Sequence, residues 1–237
     1  MPYFYYDLHL HSCLSPCGDL DMTPANIAGM ASVAGLQLIA LTDHNSTGNC
    51  GALVRAAARF GITALYGMEL TTQEEVHVVC LFSNQKSAAQ WQSFVNDKLL
   101  QVKNNPNIFG RQYYMDEQDT VLAEEPNLLI NATGIPFDAV FAPVAELGGI
   151  ALPAHIEKPA NSLLANLGFV PPQSSFQAVE VRNLKMLEAL KQAHPYLTRC
   201  KTLSSSDAHY LQEIGAAGQQ IFLEENSPEC LIHTLRH

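Results

Sequence analysis

Two histidines one residue apart, His9 and His11, close an aromatic-rich segment (residues 3–8) whose composition predicts a β-strand. Side chains at i and i+2 share one face of a strand, so both imidazoles converge on one point. Convergent imidazoles suit a borderline metal such as zinc, iron or manganese. Other donors recur in the same setting. Asp43 and His44 follow the apolar run 36–41, Glu69 follows 62–66, and His155 follows 150–153. Asp207 and His209 follow 201–204 as another i, i+2 pair. His77 lies near the start of the run 76–82, where alternation leaves it facing either this set or solvent. The other histidines, His194, His233 and His237, fall in a helix end or the C-terminal tail. Burying six imidazoles and several carboxylates without a cation would leave unpaired charge and unfilled hydrogen bonds, at several kcal/mol apiece. A shared metal centre removes that cost.

The segments between these strand ends read as helices. Thr23 is a good N-cap and Pro24 fits the first helical position. Ile27, Met30, Ala31 and Ala34 make an apolar stripe that Gly35 ends. A second helix spans 51–60 with Gly61 as its stop, and a long amphipathic helix is predicted over 87–103. Pro136 opens a further helix with Phe137, Val140, Phe141, Val144 and Leu147 at helical spacing, closed by Gly148 and Gly149. Strands are also predicted at 178–181, 201–204 and 220–223. Strands alternating with helices of about ten residues indicate βαβ units around a parallel sheet or barrel. In such barrels catalytic groups gather at the carboxyl ends of the strands. Residues 104–127 lack periodicity, so an insertion or lid is expected at about 104–135 within a single domain spanning 1–237.

Bulk properties narrow the function. The chain has 237 residues, 47% hydrophobic and 15% charged, enough for a full core. Its net charge of −10, from 23 acidic and 13 basic residues, opposes a stable nucleic-acid complex, which needs a basic surface. It does not oppose a small phosphorylated substrate, because bound cations invert the local field. No apolar run reaches membrane-span length, and the N-terminal residues lack signal-peptide order. Six cysteines in so large a chain do not form a disulfide scaffold, so a cytoplasmic setting is expected. Cys13 and Cys17 lack the second pair of a zinc site and are read as bystanders.

In order and spacing, these residues resemble the polymerase and histidinol phosphatase (PHP) family of metal-dependent phosphoesterases. The resemblance runs through Asp7-Leu8-His9-Leu10-His11-Ser12, Asp19-Leu20-Asp21-Met22-Thr23-Pro24, Leu41-Thr42-Asp43-His44, Gly67-Met68-Glu69, His77, Ala154-His155 and Ser206-Asp207-Ala208-His209. It implies an α/β fold, a distorted (βα)7 barrel, and two or three divalent ions (Mn, Fe or Zn). One site would take His9, His11, Glu69 and Asp207, with Glu69 bridging to a second site held by His77 and His155. A third would take Asp19, His44 and His209. The family's Ser-Asp-Gly is replaced here by the longer Ser15-Pro16-Cys17-Gly18-Asp19; Asp19 is aligned by its distance to Thr23, with Asp21 as competitor.

Such ions lower the pKa of bound water and neutralise a phosphoryl group, which accounts for phosphoester hydrolysis. Among catalytic candidates, Asp43 is expected to fix an imidazole as a hydrogen-bond acceptor, and His209 to assist the leaving group. Lys158 and Arg182, near strand ends, and Arg111 in the insertion are the candidate phosphate contacts. Tyr113 and Tyr114 beside Arg111 either stack on a substrate ring or pack locally. The expected activity is hydrolysis of a small phosphorylated metabolite, a nucleotide or another phosphomonoester or diester. Two alternatives stand beside it. An amidohydrolase-type enzyme would share the histidine pair, but it uses a bridging lysine where this chain has Glu69. A non-catalytic metal-binding module is the other. Neither substrate nor oligomeric state is legible.

Overall fold

Residues 2–237 are described by the computed structural model. The first half of the chain contains β1 (Tyr3–Leu10), α1 (Pro24–Val33), β2 (Leu38–Leu41), α2 (Cys50–Ala58), β3 (Thr63–Thr71), β4 (His77–Phe82) and α3 (Gln85–Asn96). A short α4 (Pro106–Phe109) and the strands β5 (Tyr113–Met115) and β6 (Val121–Glu124) follow. The second half contains α5 (Phe141–Glu146), β7 (Ile150–Pro153), α6 (Leu163–Leu167), β8 (Ala178–Glu180) and α7 (Leu187–Ala193). It closes with β9 (Lys201–Leu203), β10 (Gln219–Phe222) and α8 (Pro228–Arg236). Among the described residues no helix is long and apolar enough to cross a membrane.

Six strands form one curled sheet in the order β10-β1-β2-β3-β4-β7, and β8 pairs with β9 in parallel. Two backbone hydrogen bonds join these pieces. Ile156 N–H donates to the Glu180 carbonyl at 3.1 Å, and His11 N–H donates to the Ala208 carbonyl at 3.0 Å. Strands β1, β2, β3, β4, β7, β8 and β9 thereby run around a distorted seven-stranded barrel, with β10 outside β1. Leu8, Leu38, Ala40, Leu65, Val79, Leu81, Leu152, Ala178 and Leu203 fill its interior. Leu10, Ile39 and Leu41 face the other way, onto α1 and α2.

Local chemistry explains most boundaries. Thr23 caps α1 by accepting from Asn26 N–H, Pro24 opens it, and Gly35 leaves it at φ +72°. Three features depart from expectation. Strand β4 runs antiparallel to both neighbours, and β10 antiparallel to β1. Only residues 72–76 join β3 to β4, whereas a parallel crossover needs about a dozen residues, so the chain reverses there. The helix expected over 87–103 ends at Asn96, because Leu99 leaves it to pack with Leu14 and Leu129. The helix expected after Pro136 starts as a single 3-10 turn (Phe137–Ala139) and becomes α-helical only at Phe141. Pro143, which lacks an N–H, is suited to the first turn of that helix.

The segment 104–135 folds around the β5–β6 hairpin, which lies against the loop following β1. Tyr113 N–H donates to the Cys13 carbonyl at 3.0 Å, and Asn49 links Tyr113 O and Met115 N–H at 2.9 Å each. Tyr114 packs locally with Leu14, and its hydroxyl donates to Glu125 at 2.7 Å.

Candidate metal centre

Strand alternation carries polar side chains to one end of the barrel interior. Leu65, Gly67 and Glu69 share the inner face of β3; Ala178 and Glu180 share that of β8. Because β4 is reversed, its first residue, His77, stands at this same end in line with Val79 and Leu81. On β1 the alternation needs a break. Tyr6 and Leu8 point inward, so regular continuation would send Leu10 inward and both histidines out. A bulge between Asp7 and Leu10, where β1 uses one more residue than β2, turns His9 and His11 into the barrel. Backbone conformation does the same at His155 (φ +28°), which follows the inward Ala154. Asp207 has φ +55°, another left-handed residue at the site.

Five imidazoles surround the buried Glu69 carboxylate. His77 Nδ1 is 2.8 Å from it, His155 Nε2 3.1 Å, His11 Nε2 and His44 Nδ1 3.2 Å each, and His9 Nε2 3.3 Å. Asp207 Oδ1 lies 3.5 Å from His9 Nε2 and 3.4 Å from His11 Nε2. Three sets of donor atoms lie within 4.8 Å of one another: His9, His11, Glu69 and Asp207; His44, Glu69 and His77; and His11, His44 and His209. The first set coincides with the implied one. In the others His44 joins His77, His155 approaches Glu69 separately, and His11 stands where the resemblance implied Asp19.

The partners behind these rings decide which nitrogen faces inward. Ser12 N–H, Ser12 Oγ and Ser15 Oγ all donate to Asp43, at 2.7, 2.6 and 2.7 Å. Since Ser15 spends its one proton on Asp43, it accepts from His11 Nδ1–H at 3.0 Å, which leaves His11 Nε2 as the nitrogen that faces the cluster and can give up its proton to a cation. Glu180 likewise accepts from His9 Nδ1 at 3.1 Å, turning His9 Nε2 to the cluster. His209 Nδ1 donates to the Asp207 carbonyl at 2.8 Å. His9 Nε2, His11 Nε2, His44 Nδ1, His77 Nδ1 and His155 Nδ1 are buried with no hydrogen-bond partner. All but His155 Nδ1 are aimed at Glu69 or Asp207, and bare imidazole nitrogens so placed fit divalent cations well.

Charge in the metal-free cluster is strongly polarised. Burial opposes charge on His11, yet the neighbouring carboxylates Asp207 and Glu69 hold it up to about 9. Glu180, Glu69 and Asp207 similarly hold His9 well above its usual value against burial. Against its own burial, Glu69 is held far down by His77, His9 and His44, and Asp207 by His9 and His11. Burial and the charge on His11 pull His209 down to about 4.

Among the remaining candidates, Lys158 Nζ pairs with Asp207 Oδ2 at 2.9 Å, and Arg182 lies 3.7 Å from the same oxygen. Arg111 is exposed and pairs instead with Glu124 at 2.9 Å. Asp19 Oδ1 accepts from Asp21 N–H at 2.8 Å in a local turn, and Asp21 is exposed. Asp43 acts on His11 through Ser15 rather than on its neighbour His44. Sequence reasoning missed three residues. Glu180 orients His9 and was passed over as a strand residue beside Arg182. Asp7 accepts from Ser206 N–H at 3.0 Å and from Gly215 N–H at 2.9 Å, steadying the chain next to Asp207. Cys17, set aside as a bystander, has its sulfur 3.1 Å from His209 Nε2.

Comparison with known proteins agrees with this architecture. The family model described as "PHP domain" matches residues 7–182. A 3',5'-nucleoside bisphosphate phosphatase from Chromobacterium violaceum is 40% identical over 78 residues, 32% of this chain and 26% of that protein. The chain thus spans about a quarter of the length of this curated relative. The lesion-specific endonuclease PfuEndoQ from Pyrococcus furiosus superposes with a TM-score of 0.68 at 16% identity, over 99% of this chain and 56% of that one. An amidohydrolase from Chromobacterium violaceum superposes with a TM-score of 0.60 at 20% identity, over 94% and 93% of the two chains.

Proposed function

This chain belongs to the PHP domain family, and from that premise we propose that it is a metal-dependent phosphoesterase acting on a small phosphorylated metabolite. The observation that carries the reading is the convergence of five buried imidazoles on Glu69, with the nitrogens of His9 and His11 left bare by their outer partners. Two or three divalent ions (Mn, Fe or Zn) would be held by His9, His11, His44, Glu69, His77, His155, Asp207 and His209. Bound there, they supply an acidified water and neutralise phosphoryl charge.

The protein's own groups do the rest. Lys158 and Arg182 hold phosphoryl oxygens beside Asp207. Glu180 and the Asp43–Ser15 pair keep the His9 and His11 rings aimed inward. His209, whose Nδ1 proton goes to the Asp207 carbonyl, has Nε2 free to serve as a ligand. A cleft of about 360 Å³ opens from Arg182 past Lys185 and Ser204 to Ser206, room for a second anionic group. With the bisphosphate phosphatase likeness, this favours a nucleoside bisphosphate as substrate class. The net charge of −10 argues against a stable complex with long nucleic acid, and six free cysteines support a reducing, cytosolic setting.

The test is phosphate release from a panel of phosphomonoesters, diesters and a nucleoside 3',5'-bisphosphate, using chelated protein restored with Mn²⁺, Fe²⁺ or Zn²⁺. Metal-dependent release, lost together with bound metal in His9→Ala and Asp207→Ala, is expected. Full metal uptake with no release from any substrate would leave a non-catalytic metal-binding module instead.

A further inference from the structure

The loop after β1 is built to hold one side chain still. Gly18 N–H donates to the Ser15 carbonyl at 2.9 Å, closing a turn in which Pro16 pre-sets the backbone. A side chain at Gly18 would collide with the Ser12 carbonyl, so the turn presses directly on the chain after His11. Ser15 is buried and bonded to Asp43 and His11. Asp19 N–H donates to the His209 carbonyl at 2.9 Å, docking the turn on the segment that carries Asp207 and His209. The residue so positioned is Cys17, with Sγ 3.1 Å from His209 Nε2. That nitrogen carries a lone pair, because His209 Nδ1 gives its proton to the Asp207 carbonyl.

We propose that Cys17 is a metal ligand, completing with His209 and His44 the third cation site in the place the resemblance gives to Asp19. Two of the cluster's bare nitrogens border the site. His44 Nδ1 and His11 Nε2 are buried without partners, and their donor atoms lie within 4.8 Å of one another and of His209. In a tetrahedral zinc site, sulfur and nitrogen ligands stand about 3.5 Å apart, a few tenths of an ångström beyond the present separation. Neither Asp19 nor Cys17 belongs to that set: Cys17 meets it at His209, whereas Asp19 turns one carboxylate oxygen to Asp21 N–H. When the sulfur–metal bond forms, the Cys17 S–H proton leaves to solvent. A thiolate among imidazoles selects a thiophilic ion, zinc or ferrous iron, over magnesium or manganese at this position.

The inference rests on the metal-centre reading, and cobalt separates the two. Cobalt-loaded wild-type protein should show a near-ultraviolet thiolate-to-cobalt charge-transfer band. Cys17→Ser should lose the band and about one ion per chain. Cys13→Ser should keep both, since Cys13 lies against Met115 at 3.5 Å. A band that survives Cys17→Ser, or its absence from cobalt-loaded wild type, overturns the assignment of Cys17 alone. Loss of the ion in Asp19→Asn with its retention in Cys17→Ser does the same. Failure of wild type to take up cobalt overturns the metal centre itself. Alkylation supplies a reading that needs no variant. In wild type, Cys17 should react about tenfold more slowly once zinc is added to chelated protein, and an unchanged rate counts against ligation.

Discussion

Glu180 grips the back of His9. Its two carboxylate oxygens lie 3.1 and 3.2 Å from His9 Nδ1, and it also accepts from the His155 backbone N–H at 3.1 Å. One buried acid therefore sets the direction of one imidazole and the course of the chain that delivers another. Glu180→Gln keeps an acceptor for His9 but removes the charge, and Glu180→Ala removes both. We expect metal affinity to fall about 10–100-fold in Glu180→Gln and further in Glu180→Ala. Competition against a metal-binding dye measures it, and wild-type affinity in both variants would deny Glu180 this role.

The metal-free protein should lose stability on the alkaline side. His11 is raised to about 9 from about 6.5 in the unfolded chain. A raised imidazole stabilises fully below about pH 6.5, and its contribution disappears as pH climbs towards 9. Asp207 has the opposite sign: held down, it stabilises above about pH 4 and fails only in strong acid. Metal uptake displaces protons from the same rings, so the stabilisation added by zinc should grow with pH. Thermal melts between pH 6 and 9.5, with chelator or zinc, test both slopes. A flat profile in chelator would mean that the imidazole–carboxylate pairing does not support the fold.

Lys158→Ala should weaken substrate capture and spare metal binding. One charge-assisted hydrogen bond is worth about 1.5–3 kcal/mol, so KM for a phosphomonoester should rise about 10–100-fold. Arg182, more exposed and 3.7 Å from Asp207, should matter less. Kinetics and metal content measured on the same preparations separate this from loss of the ion.

Gly67→Ala should damage the site from a distance. A Cβ there would stand 2.6 Å from the Leu41 carbonyl and 2.7 Å from Thr42, forcing β2 and β3 apart just before Glu69. Overpacking of this kind costs about 1–3 kcal/mol. Urea unfolding of chelated protein should show it, and zinc affinity should drop in the same variant.

How legible the site was depends on how local each signal is. The cap at Thr23, the stop at Gly35 and the runs ending near Asp43, His155 and Asp207 are written in adjacent residues. His77 was ambiguous because its orientation depends on the polarity of β4, although the five residues between the strands were already too few for a crossover. Glu180, alone among apolar neighbours, looked like a strand residue, since nothing within the strand announces its partner on β1. Cys17 reads as a bystander because Cys13 and Cys17 lack a second pair, whereas its neighbour in space is a histidine from the far end of the chain. The bulge in β1 leaves no mark in the spacing of His9 and His11, which stay on one face whether that face is inner or outer.

The bond between His11 and Ala208 stitches an early strand to a late one, and the ions would sit directly above that seam. Loading would then act as a latch on the barrel's closure, and starvation for metal should unzip the joint before anything else. Amide exchange should quicken first at residues 9–11 and 205–209 when the protein is stripped, while the β2–β3 pair stays protected. A cell short of the right ion would hold a barrel left ajar, open to proteases at the place where its chemistry belongs.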